Sequence, residues 1–349
     1  MKETIVETLM ELMGIDSDHL ADKGAIVEFC NEWLGDCGME VTVHGEECPA
    51  IEATAGTGLI MSGHLDVVPT GEGWTRGQGE REGDIVYGRG TADMKGAVAA
   101  MLHAARTLSE EGVPFSVFLT TDEEEGMRGA LRLSRSPALK EAPGVMIGEP
   151  TDMRVVSEEK GVYRFRLTTR GKAAHSSQPW LGDNAISRMQ VLLSLMDDLA
   201  TTPGAPTDGM TMCYTTISGG TKNNVVPESC RAEVDVRFPA SMDLEEVESL
   251  VDGRLQGEEY RMDHIARLNS FRAPEDSGML SEIIDQLGTG KVKAAFATEA
   301  ARFSEANPQV YICGPGPSGV CHIADEWVDV GQLERYYRLL IHMARFAQG

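Results

Sequence analysis

The stretch FSVFLTTDEEEG, Phe115–Gly126, decides the fold, because an apolar segment runs directly into four consecutive acidic residues. Its first seven residues have the length and apolar character of a buried β-strand. Acidic residues in such a place are often explained by a following helix, whose positive N-terminal end they offset. Four adjacent carboxylates repel one another, so nearby positive charge would explain them better than solvent alone. The question is whether the rest of the chain provides for that charge.

Strand-like and helix-like segments alternate on both sides of this stretch. The strand-like segments are GLIMSG (58–63), FSVFLTT (115–121) and GVMIGEP (144–150), and the helical patterns between them are GAVAAMLHAARTL (96–108) and MRGALRLSRS (127–136). This alternation predicts a mostly parallel sheet with helices on its faces. Ligands gather at the carboxyl ends of the strands in such sheets, so we expect the polar residues after these segments to share one edge.

The pattern changes after about Val162. The segments VYRFRLTTRG (162–171), TMCYTTISGG (211–220) and RAEVDVRF (231–238) are strand-like, and LEEVESLVDGRL (244–255) is helix-like. This order is typical of a small α+β unit with an antiparallel sheet. The α/β pattern resumes near Phe271. We therefore predict an α/β protein with a larger domain over residues 1–160 and 271–349 and an inserted domain over residues 161–270.

Composition argues against several classes of protein. The 349 residues include 55 acidic and 31 basic side chains, and the net charge of -24 would repel nucleic acid and anionic membrane surfaces. No apolar run approaches the roughly 20 residues that span a bilayer. The seven cysteines lack CxxC spacing and are interpreted as reduced thiols. We expect a cytoplasmic protein without nucleic-acid or membrane partners, whose acidity could also reflect a saline cytoplasm.

Histidines and carboxylates follow the predicted strands or lie in the glycine-flanked turn GRGTADMKG before a predicted helix. These side chains are His64, Asp66, Asp93, Glu123, Glu124, Glu149 and His322. Such a set at one sheet edge is typical of a site for one or two borderline divalent metals, zinc above all. Paired metals would supply the positive charge that the acidic run lacks.

Position suggests how two ions would be shared. Asp93 on its glycine-rich turn would bridge them. His64 and Glu149 would complete one ion site, and Glu124 and His322 would complete the other.

Two further side chains have roles beside the metals, and each candidate also has an ordinary explanation. Asp66 follows His64 by two residues and would orient its imidazole, as metal-bound histidines require. Glu123, next to a ligand but free of the metals, would be the general base. Taken singly, His64 is a polar loop residue, Glu149 is a turn residue and Asp93 is a helix N-cap.

Seven short motifs occur along the chain in one order: GHLDVVP, YGRGTADMKGAVAAM, TTDEEEG, IGEPT, GKAAHSSQPWLGDNAI, NNVVPESCRAEVDVR and GPGPSGVCHIADE. Together they resemble the zinc-dependent amidohydrolase and exopeptidase family that contains acetylornithine deacetylase, succinyl-diaminopimelate desuccinylase, aminoacylase and glutamate carboxypeptidase. The resemblance spans nearly the whole chain.

The resemblance implies two divalent metal ions, zinc first and cobalt or manganese as alternatives. It implies the ligands His64, Asp93, Glu124, Glu149 and His322, with Glu123 as the base. It also implies a cis peptide bond between Asp93 and Met94. The larger domain would then be a di-metal catalytic domain, and the inserted domain a lid through which two copies form a homodimer.

The resemblance assigns roles in the inserted domain as well. His175 in GKAAHSS would stabilise the oxyanion in the partner subunit's site, although it also reads as an exposed strand histidine. Asn224 and Arg237 would hold the carboxylate of the substrate. Three further substrate-binding candidates are Thr298, Gly314 and Gly316, the two glycines because they would let backbone approach the ligand.

The implied reaction is hydrolysis of the amide bond of a small N-acylated amino acid. Thr298, Glu299 and Ala300 resemble the acetylornithine deacetylase branch more than the desuccinylase branch, so N-acetylornithine is the first substrate. Succinyl-diaminopimelate is the second, and a dipeptide or carboxypeptidase substrate the third. From other classes, a two-metal phosphoesterase lacks the expected cationic cradle. A non-catalytic metal-binding protein would not need Glu123.

Overall fold

A computed structural model describes residues 1–18, 20–199 and 208–349 of the chain. The helices in this part are α1 (Lys2–Gly14), α2 (Gly24–Asp36), α3 (Lys95–Glu111), α4 (Arg128–Leu133), α5 (Pro137–Glu141), α6 (Ala185–Met196), α7 (Leu244–Leu255), α8 (Gly278–Leu287), α9 (Ala300–Phe303) and α10 (Val330–Phe346).

The strands in the same residues are β1 (Glu40–His44), β2 (Ala50–Thr54), β3 (Leu59–His64), β4 (Arg81–Glu82), β5 (Ile85–Tyr87), β6 (Phe115–Thr120), β7 (Val145–Ile147), β8 (Val155–Glu159), β9 (Gly161–Arg170), β10 (Thr211–Gly219), β11 (Ser229–Phe238), β12 (Arg261–Leu268), β13 (Phe271–Arg272), β14 (Lys291–Ala294), β15 (Val310–Ile312) and β16 (Trp327–Asp329). The chain forms two compact units. The larger comprises residues 1–157, 273–292 and 298–349, and the smaller comprises residues 158–272 and 293–297.

A six-stranded sheet organises the larger unit, in the order β1-β2-β6-β3-β7-β15. The strands β6, β3, β7 and β15 run parallel. At one edge β2 runs antiparallel to β6, and β1 runs antiparallel to β2. The prediction of a mostly parallel sheet is therefore confirmed. Because β3 lies between β6 and β7, the carboxyl ends of these three strands are adjacent.

Helices cover both faces of this sheet. Met61 of β3 and Val117 of β6 share one apolar core with helices α1, α2, α3, α8 and α10. On the opposite face the ring of Phe118 lies 6.2 Å from the ring of Phe303 in α9, centroid to centroid. Burial on both faces explains why the central strands read as continuous apolar runs rather than as alternating ones.

A buried lysine fixes the start of α3 against the end of α1. The Nζ group of Lys95 donates hydrogen bonds to the carbonyl oxygens of Leu12 and Ile15, each at 2.9 Å. The last carbonyls of a helix lack intrahelical partners and favour a cation. Burial lowers the pKa of Lys95 to about 8. This anchor holds the residue at which the turn containing Asp93 ends.

A four-stranded antiparallel sheet organises the smaller unit, in the order β10-β11-β9-β12. Leu167 of β9 and Val234 of β11 face a core that also contains Met189 of α6 and Val251 of α7. Successive strand residues point to opposite faces, so the residues between them form a second face away from this core. The predicted α+β unit with an antiparallel sheet is confirmed.

Three short segments lie in a different unit from the one expected. The sequence pattern assigns residues 158–160, 271–272 and 293–297 to the larger domain, whereas their contacts place them in the smaller unit. Lys293 pairs there with Glu158 at 3.0 Å and with Asp208 at 2.7 Å. These ion pairs join residues distant in sequence, which the local pattern does not reveal.

Glu299 ties two central strands together from a buried position. Its carboxylate accepts hydrogen bonds from Oγ1 of Thr120 on β6 at 2.5 Å and from Oγ of Ser62 on β3 at 3.3 Å. Burial raises the pKa of Glu299 to about 7. Since β3 ends at His64 and β6 leads into the acidic run, this carboxyl group supports the edge at which the candidate residues lie.

We predict that Glu299→Gln changes how the stability of the protein depends on pH. The pKa of Glu299 is about 7 in the folded state against an ordinary value of 4.5, so the folded protein binds this proton more tightly than the unfolded chain. The wild-type free energy of unfolding must therefore fall as pH rises from about 4.5 to 7. The neutral glutamine removes this decline, which is at most about 3 kcal/mol in the free energy of unfolding.

Urea unfolding at both ends of this pH window measures the effect, with Glu334→Gln on α10 as the matched control. The difference in stability between Glu299→Gln and wild type should shift in favour of the variant as pH rises. A difference that is constant with pH would show that the pKa of Glu299 is the same in the folded and the unfolded protein.

Candidate functional site

The four acids of the opening stretch have three different environments. Asp122 is buried and accepts hydrogen bonds at 2.8 Å from the backbone N–H groups of Arg128 and Gly129, where α4 begins. Glu125 is exposed. Only Glu123 and Glu124 lie with the other candidate residues. The helix-dipole explanation therefore applies to Asp122, and the need for positive charge concerns the two middle acids.

The buried half of the cluster is formed by His64, Asp93 and Glu149. One ligand atom from each lies within 4.8 Å of the others. Nε2 of His64 is 3.0 Å from Oδ1 of Asp93. These side chains come from the end of β3, from the turn before α3 and from the residues after β7. The peptide bond between Asp93 and Met94 is cis, as the family resemblance implies.

The open half of the cluster is formed by Asp93, Glu124 and His322, which also meet within 4.8 Å. Nε2 of His322 lies 2.9 Å from Oε1 of Glu124 and 3.2 Å from Oδ2 of Asp93. The side chain of His322 is 51% exposed, whereas that of His64 is 1% exposed. One half therefore faces solvent and the other is enclosed, with Asp93 common to both.

Glu123 belongs to a third group, in which one of its carboxylate oxygens lies within 4.8 Å of ligand atoms of His64 and Glu124. Burial raises the pKa of Glu123 well above its ordinary value, and the nearby charge of Glu149 raises it further. A carboxyl group that holds its proton more tightly than usual is suited to receive one near neutral pH.

Asp66 supports the cluster from behind. Its carboxylate accepts hydrogen bonds from the backbone N–H groups of Glu123 at 3.2 Å and of Glu124 at 3.1 Å. Nδ1 of His64 lies 2.9 Å from the backbone oxygen of Asp66 and 3.6 Å from its carboxylate. The hydrogen bond that orients the imidazole is thus to the main chain of Asp66. The carboxylate positions the acidic run, which the sequence reasoning did not anticipate.

The electrostatics of the cluster call for added positive charge. Burial raises the pKa of Glu149 well above its ordinary value. Burial opposes ionisation of Asp93 as well, but hydrogen bonds with His322 and His64 hold its pKa below the usual range. Hydrogen bonds with Asp93 and Glu124 raise the pKa of His322 to about 10. Without a cation, the negative charge of the carboxylates is therefore balanced by protons held on the acids and histidines.

The donor set fits divalent metals. Oε1 of Glu149 is buried and has no hydrogen-bond partner among residues 1–18, 20–199 and 208–349. A buried carboxylate oxygen without a partner is costly, and a cation in contact with it would remove the cost. Imidazole nitrogens with carboxylate oxygens are the ligands that zinc takes in catalytic sites.

Glu326 positions the turn of Asp93, and the sequence reasoning missed it. Its buried carboxylate accepts hydrogen bonds from the N–H groups of Ala92 at 3.0 Å and of Asp93 at 3.1 Å. The other oxygen pairs with Arg89 at 2.5 Å, and that side chain is also buried. Burial raises the pKa of Glu326 to about 7. The motif GVCHIADE contains this residue, but nothing in the motif shows its distant partners.

The two glycines that were expected to let backbone approach the ligand instead pack against other segments of the protein. A Cβ atom at Gly314 would lie 2.2 Å from the carbonyl oxygen of Gly148, next to Glu149. Gly316 has φ of +87°, and a Cβ there would lie 2.8 Å from Cβ of Ala92. The expected close approach exists, but it packs this loop against the segments that carry Glu149 and Asp93.

Thr298 is buried, and its hydroxyl accepts a hydrogen bond from the N–H of Ala300 at 3.1 Å, at the start of α9. This contact gives the threonine a structural role in the fold of the larger unit. A contact with substrate stays a prediction from the resemblance alone.

The remaining predicted residues belong to the smaller unit. Nδ1 of His175 accepts a hydrogen bond from the N–H of Ser177 at 3.2 Å. A ring nitrogen that accepts from a backbone N–H carries no proton, so in the neutral ring the proton is on Nε2. Asn224 is exposed, and its backbone carbonyl oxygen accepts a hydrogen bond from the N–H of Ser176 at 3.0 Å.

Arg237 is already engaged in an ion pair. Its Nε donates to Asp235 at 2.6 Å, and Arg164 donates to the same carboxylate, at 2.6 and 2.9 Å. Burial opposes ionisation of Asp235, but the guanidinium of Arg237 holds its pKa below the usual value. An arginine carries five donors, so Arg237 retains N–H groups for a second carboxylate.

A cavity of about 730 Å³ adjoins the open half of the cluster within the larger unit. Its lining includes Asp66, Glu124, Glu125, Lys23 and Arg128. A cavity of this size accommodates a small molecule.

A parallel-sheet edge with this set of histidines and carboxylates is typical of hydrolases that work with paired metals. Residues 60–345 match the family model described as Peptidase family M20/M25/M40. The chain belongs to that family, and it is therefore a hydrolase that acts on amide bonds. The resemblance drawn from the motifs is confirmed.

Two relatives cover most of the chain. The chain is 28% identical to an acetylornithine deacetylase from Myxococcus xanthus over 98% of its own length and 97% of the relative. It is 30% identical to a probable carboxypeptidase from Ajellomyces dermatitidis over 79% of its own length and 68% of the relative.

Two solved structures share the fold. A metallo-carboxypeptidase of the M20 family from Sulfolobus solfataricus matches with a TM-score of 0.79 and 17% identity, over 98% of both chains. A dinuclear metal-binding peptidase of the M20 family from Bacillus subtilis matches with a TM-score of 0.69 and 15% identity, over 99% of this chain and 98% of the other. In the part of the chain that the structure describes, no helix is long and apolar enough to cross a membrane.

We predict that Glu326→Gln weakens zinc binding by about 10- to 100-fold, the usual effect of removing the support of a metal ligand. A glutamine has one accepting oxygen, so it cannot serve both the N–H groups before Asp93 and the guanidinium of Arg89. Calorimetric titration of the metal-free protein with zinc measures the change.

Glu334→Gln on α10 is the matched control and should bind zinc as the wild type does. The thermal unfolding midpoint without metal separates loss of affinity from loss of fold. Wild-type zinc affinity in a folded Glu326→Gln variant would show that the turn of Asp93 holds its position without this carboxylate.

Proposed function

We propose that the protein hydrolyses the amide bond of an N-acylated amino acid, with N-acetylornithine as the first candidate substrate. The observation that carries this proposal is the convergence of two histidines and four carboxylates at the carboxyl edge of the sheet, in the groups described above. A relative named acetylornithine deacetylase that is similar over 98% of the chain supports the choice of substrate.

Two divalent ions would be held by the side chains around Asp93. The proposed ligands are His64, Asp93, Glu124, Glu149 and His322, with zinc as the first metal and cobalt or manganese as alternatives. When bound, such ions polarise the scissile carbonyl and make a water molecule more acidic near neutral pH. Asp93, which is common to both halves of the cluster, would join the two ions.

Glu123 would move the proton. Its carboxylate would take a proton from the water that attacks the carbonyl carbon and would later give it to the departing amine. Its burial and the charge of Glu149 raise its pKa, which favours the return of the proton near neutral pH. The hydrogen bond from its N–H to Asp66 holds it in place.

His175 would stabilise the oxyanion, and the family resemblance assigns it to the partner subunit's reaction. The N–H of Ser177 holds its Nδ1 as an acceptor, so Nε2–H is free to donate. Donors that are already oriented toward developing charge are the most effective form of such stabilisation. Asn224 and Arg237 would bind the carboxylate of the amino acid, Arg237 through donors that Asp235 does not use.

Succinyl-diaminopimelate is the second substrate candidate, on the same reaction chemistry. A dipeptide or carboxypeptidase substrate is the third, and the carboxypeptidase relative favours it. Thr298, Glu299 and Ala300 place N-acetylornithine ahead of both. A non-catalytic metal protein is the least supported alternative, because a base at the position of Glu123 would then have no use.

The protein would form a homodimer through the smaller unit. A mass of 37.8 kDa in solution, that of one chain, would contradict this proposal. All seven cysteines are free thiols, which supports the expected cytoplasmic location.

We predict that Glu123→Gln lowers kcat by about 100- to 10,000-fold, because the amide cannot accept the proton of the attacking water. Bound zinc, measured by elemental analysis, should stay at the wild-type level. Glu125→Gln changes the exposed neighbouring acid and should leave both quantities unchanged. Near-normal hydrolysis by Glu123→Gln would refute the assignment of the base.

The substrate is tested by release of free amine from N-acetyl-L-ornithine, N-acetyl-lysine, N-succinyl-LL-diaminopimelate and several dipeptides. We expect the zinc-loaded enzyme to hydrolyse N-acetylornithine with the highest kcat/KM and a chelator to abolish the reaction. A faster reaction with the succinyl compound or a dipeptide would show that the proposed substrate is wrong and that the proposed reaction, amide hydrolysis, is right. No hydrolysis by fully metal-loaded protein would overturn the proposal for all of these substrates.

A further inference from the structure

The smaller unit has a depression of about 540 Å³ that is rich in arginine. Five arginines line it, against two acids: Arg166, Arg170, Arg188, Arg231 and Arg261, with Glu259 and Asp263. The whole chain has 55 acidic and 31 basic residues, so a local excess of arginine runs against its composition. All of these residues belong to the smaller unit, and none belongs to the cluster around Asp93.

The sheet register places three of the arginines together. Arg231 of β11 and Arg261 of β12 are both direct cross-strand partners of Thr168 on β9. Arg170 is two residues beyond Thr168 on the same strand and points to the same face. Adjacent strands are about 4.8 Å apart, so the backbones of Arg231 and Arg261 are about 10 Å apart across Thr168. This face lies opposite the core that contains Leu167.

Three of the five arginines have acidic partners. Arg166 pairs with Glu233 at 2.6 Å, and Arg261 pairs with Asp263 at 2.7 Å. Arg188 pairs with Asp183 and Glu259.

The side chains of Arg170 and Arg231 are exposed and have no ion-pair or side-chain hydrogen-bond partner within residues 1–18, 20–199 and 208–349. Arg170 is the cross-strand partner of Ser229 and Arg231 that of Thr168, so the two like charges lie diagonally from each other and repel. Two unpaired guanidinium groups beside further arginines therefore favour the binding of an anion.

We propose that this depression binds a compact multivalent oxyanion, which carries phosphate groups or several carboxylates, and that Arg170 and Arg231 are its main ligands. The planar donors of arginine match the oxygens of both groups in pairs. An anion with two or more charged groups can bridge Arg170, Arg231 and Arg261, which a single chloride cannot. This ligand is distinct from the proposed amide substrate.

Calorimetric titration of the full-length, zinc-loaded protein with pyrophosphate and with citrate at low ionic strength tests the proposal. We expect saturable binding of one anion per chain, weakened at least about tenfold in the double variant Arg170→Gln, Arg231→Gln. Binding of an anion at the zinc ions would be unchanged in the double variant. The difference in binding between wild type and the double variant therefore reports on this depression alone. Tighter binding of pyrophosphate indicates a phosphate ligand, and tighter binding of citrate indicates a polycarboxylate.

Arg254→Gln is the matched control, because Arg254 is an arginine of the same unit that pairs with Asp198 outside the depression. It should bind either anion as the wild type does. Arg261→Gln is a second, milder variant, and the thermal unfolding midpoint without anion shows whether each variant is folded. Two results would overturn the proposal: no saturable binding of either anion with Kd below about 1 mM, or binding to the double variant that is no weaker than binding to Arg254→Gln.

Discussion

The larger unit depends on one constraint, the burial of like-charged carboxylates where three parallel strands end. Repulsion between them and loss of water both disfavour the ionised forms, which is why the pKa values of Glu123 and Glu149 are raised. The fold holds the segments that carry Glu123 and Asp93 in place through their backbone N–H groups, which donate to two further acids. Asp66 and Glu326 fix the backbones of the acidic run and of the turn of Asp93.

The supporting contacts form a second layer behind the candidate ligands. Glu299 joins β3 to β6, Lys95 anchors the first residue of α3, and Gly314 lets its loop pack against Gly148. Each of these contacts joins segments far apart in the chain. The side chains of a cluster held in this way are oriented before a metal ion binds, which lowers the free-energy cost of ordering them on binding. It is also consistent with membership of a family of hydrolases rather than with an incidental group of surface acids.

Each unit concentrates one sign of charge at one place. The edge of the larger unit concentrates carboxylates, and the cavity beside it is lined mainly by acids and small residues. The polar face of the sheet in the smaller unit concentrates arginines, two of them unpaired among the described residues. On a chain with a net charge of -24, the second feature is the less expected one. It gives an acidic protein a place where a small anion can approach without strong repulsion.

The sequence by itself determined the elements, the class of fold and the identity of the residues at the strand ends. Apolar runs, turn residues and ordered motifs are local signals, and His64, Glu124 and Glu149 lie directly after such runs. The sequence also singled out Glu123 and Glu124, and only the tertiary structure decided that Asp122 serves a helix and that Glu125 is exposed. It alone showed Glu326, Glu299 and the arginine depression, because each depends on partners brought together by the fold. The register between strands and the distant partner of each buried polar group are long-range properties, and a local pattern of residues does not specify them.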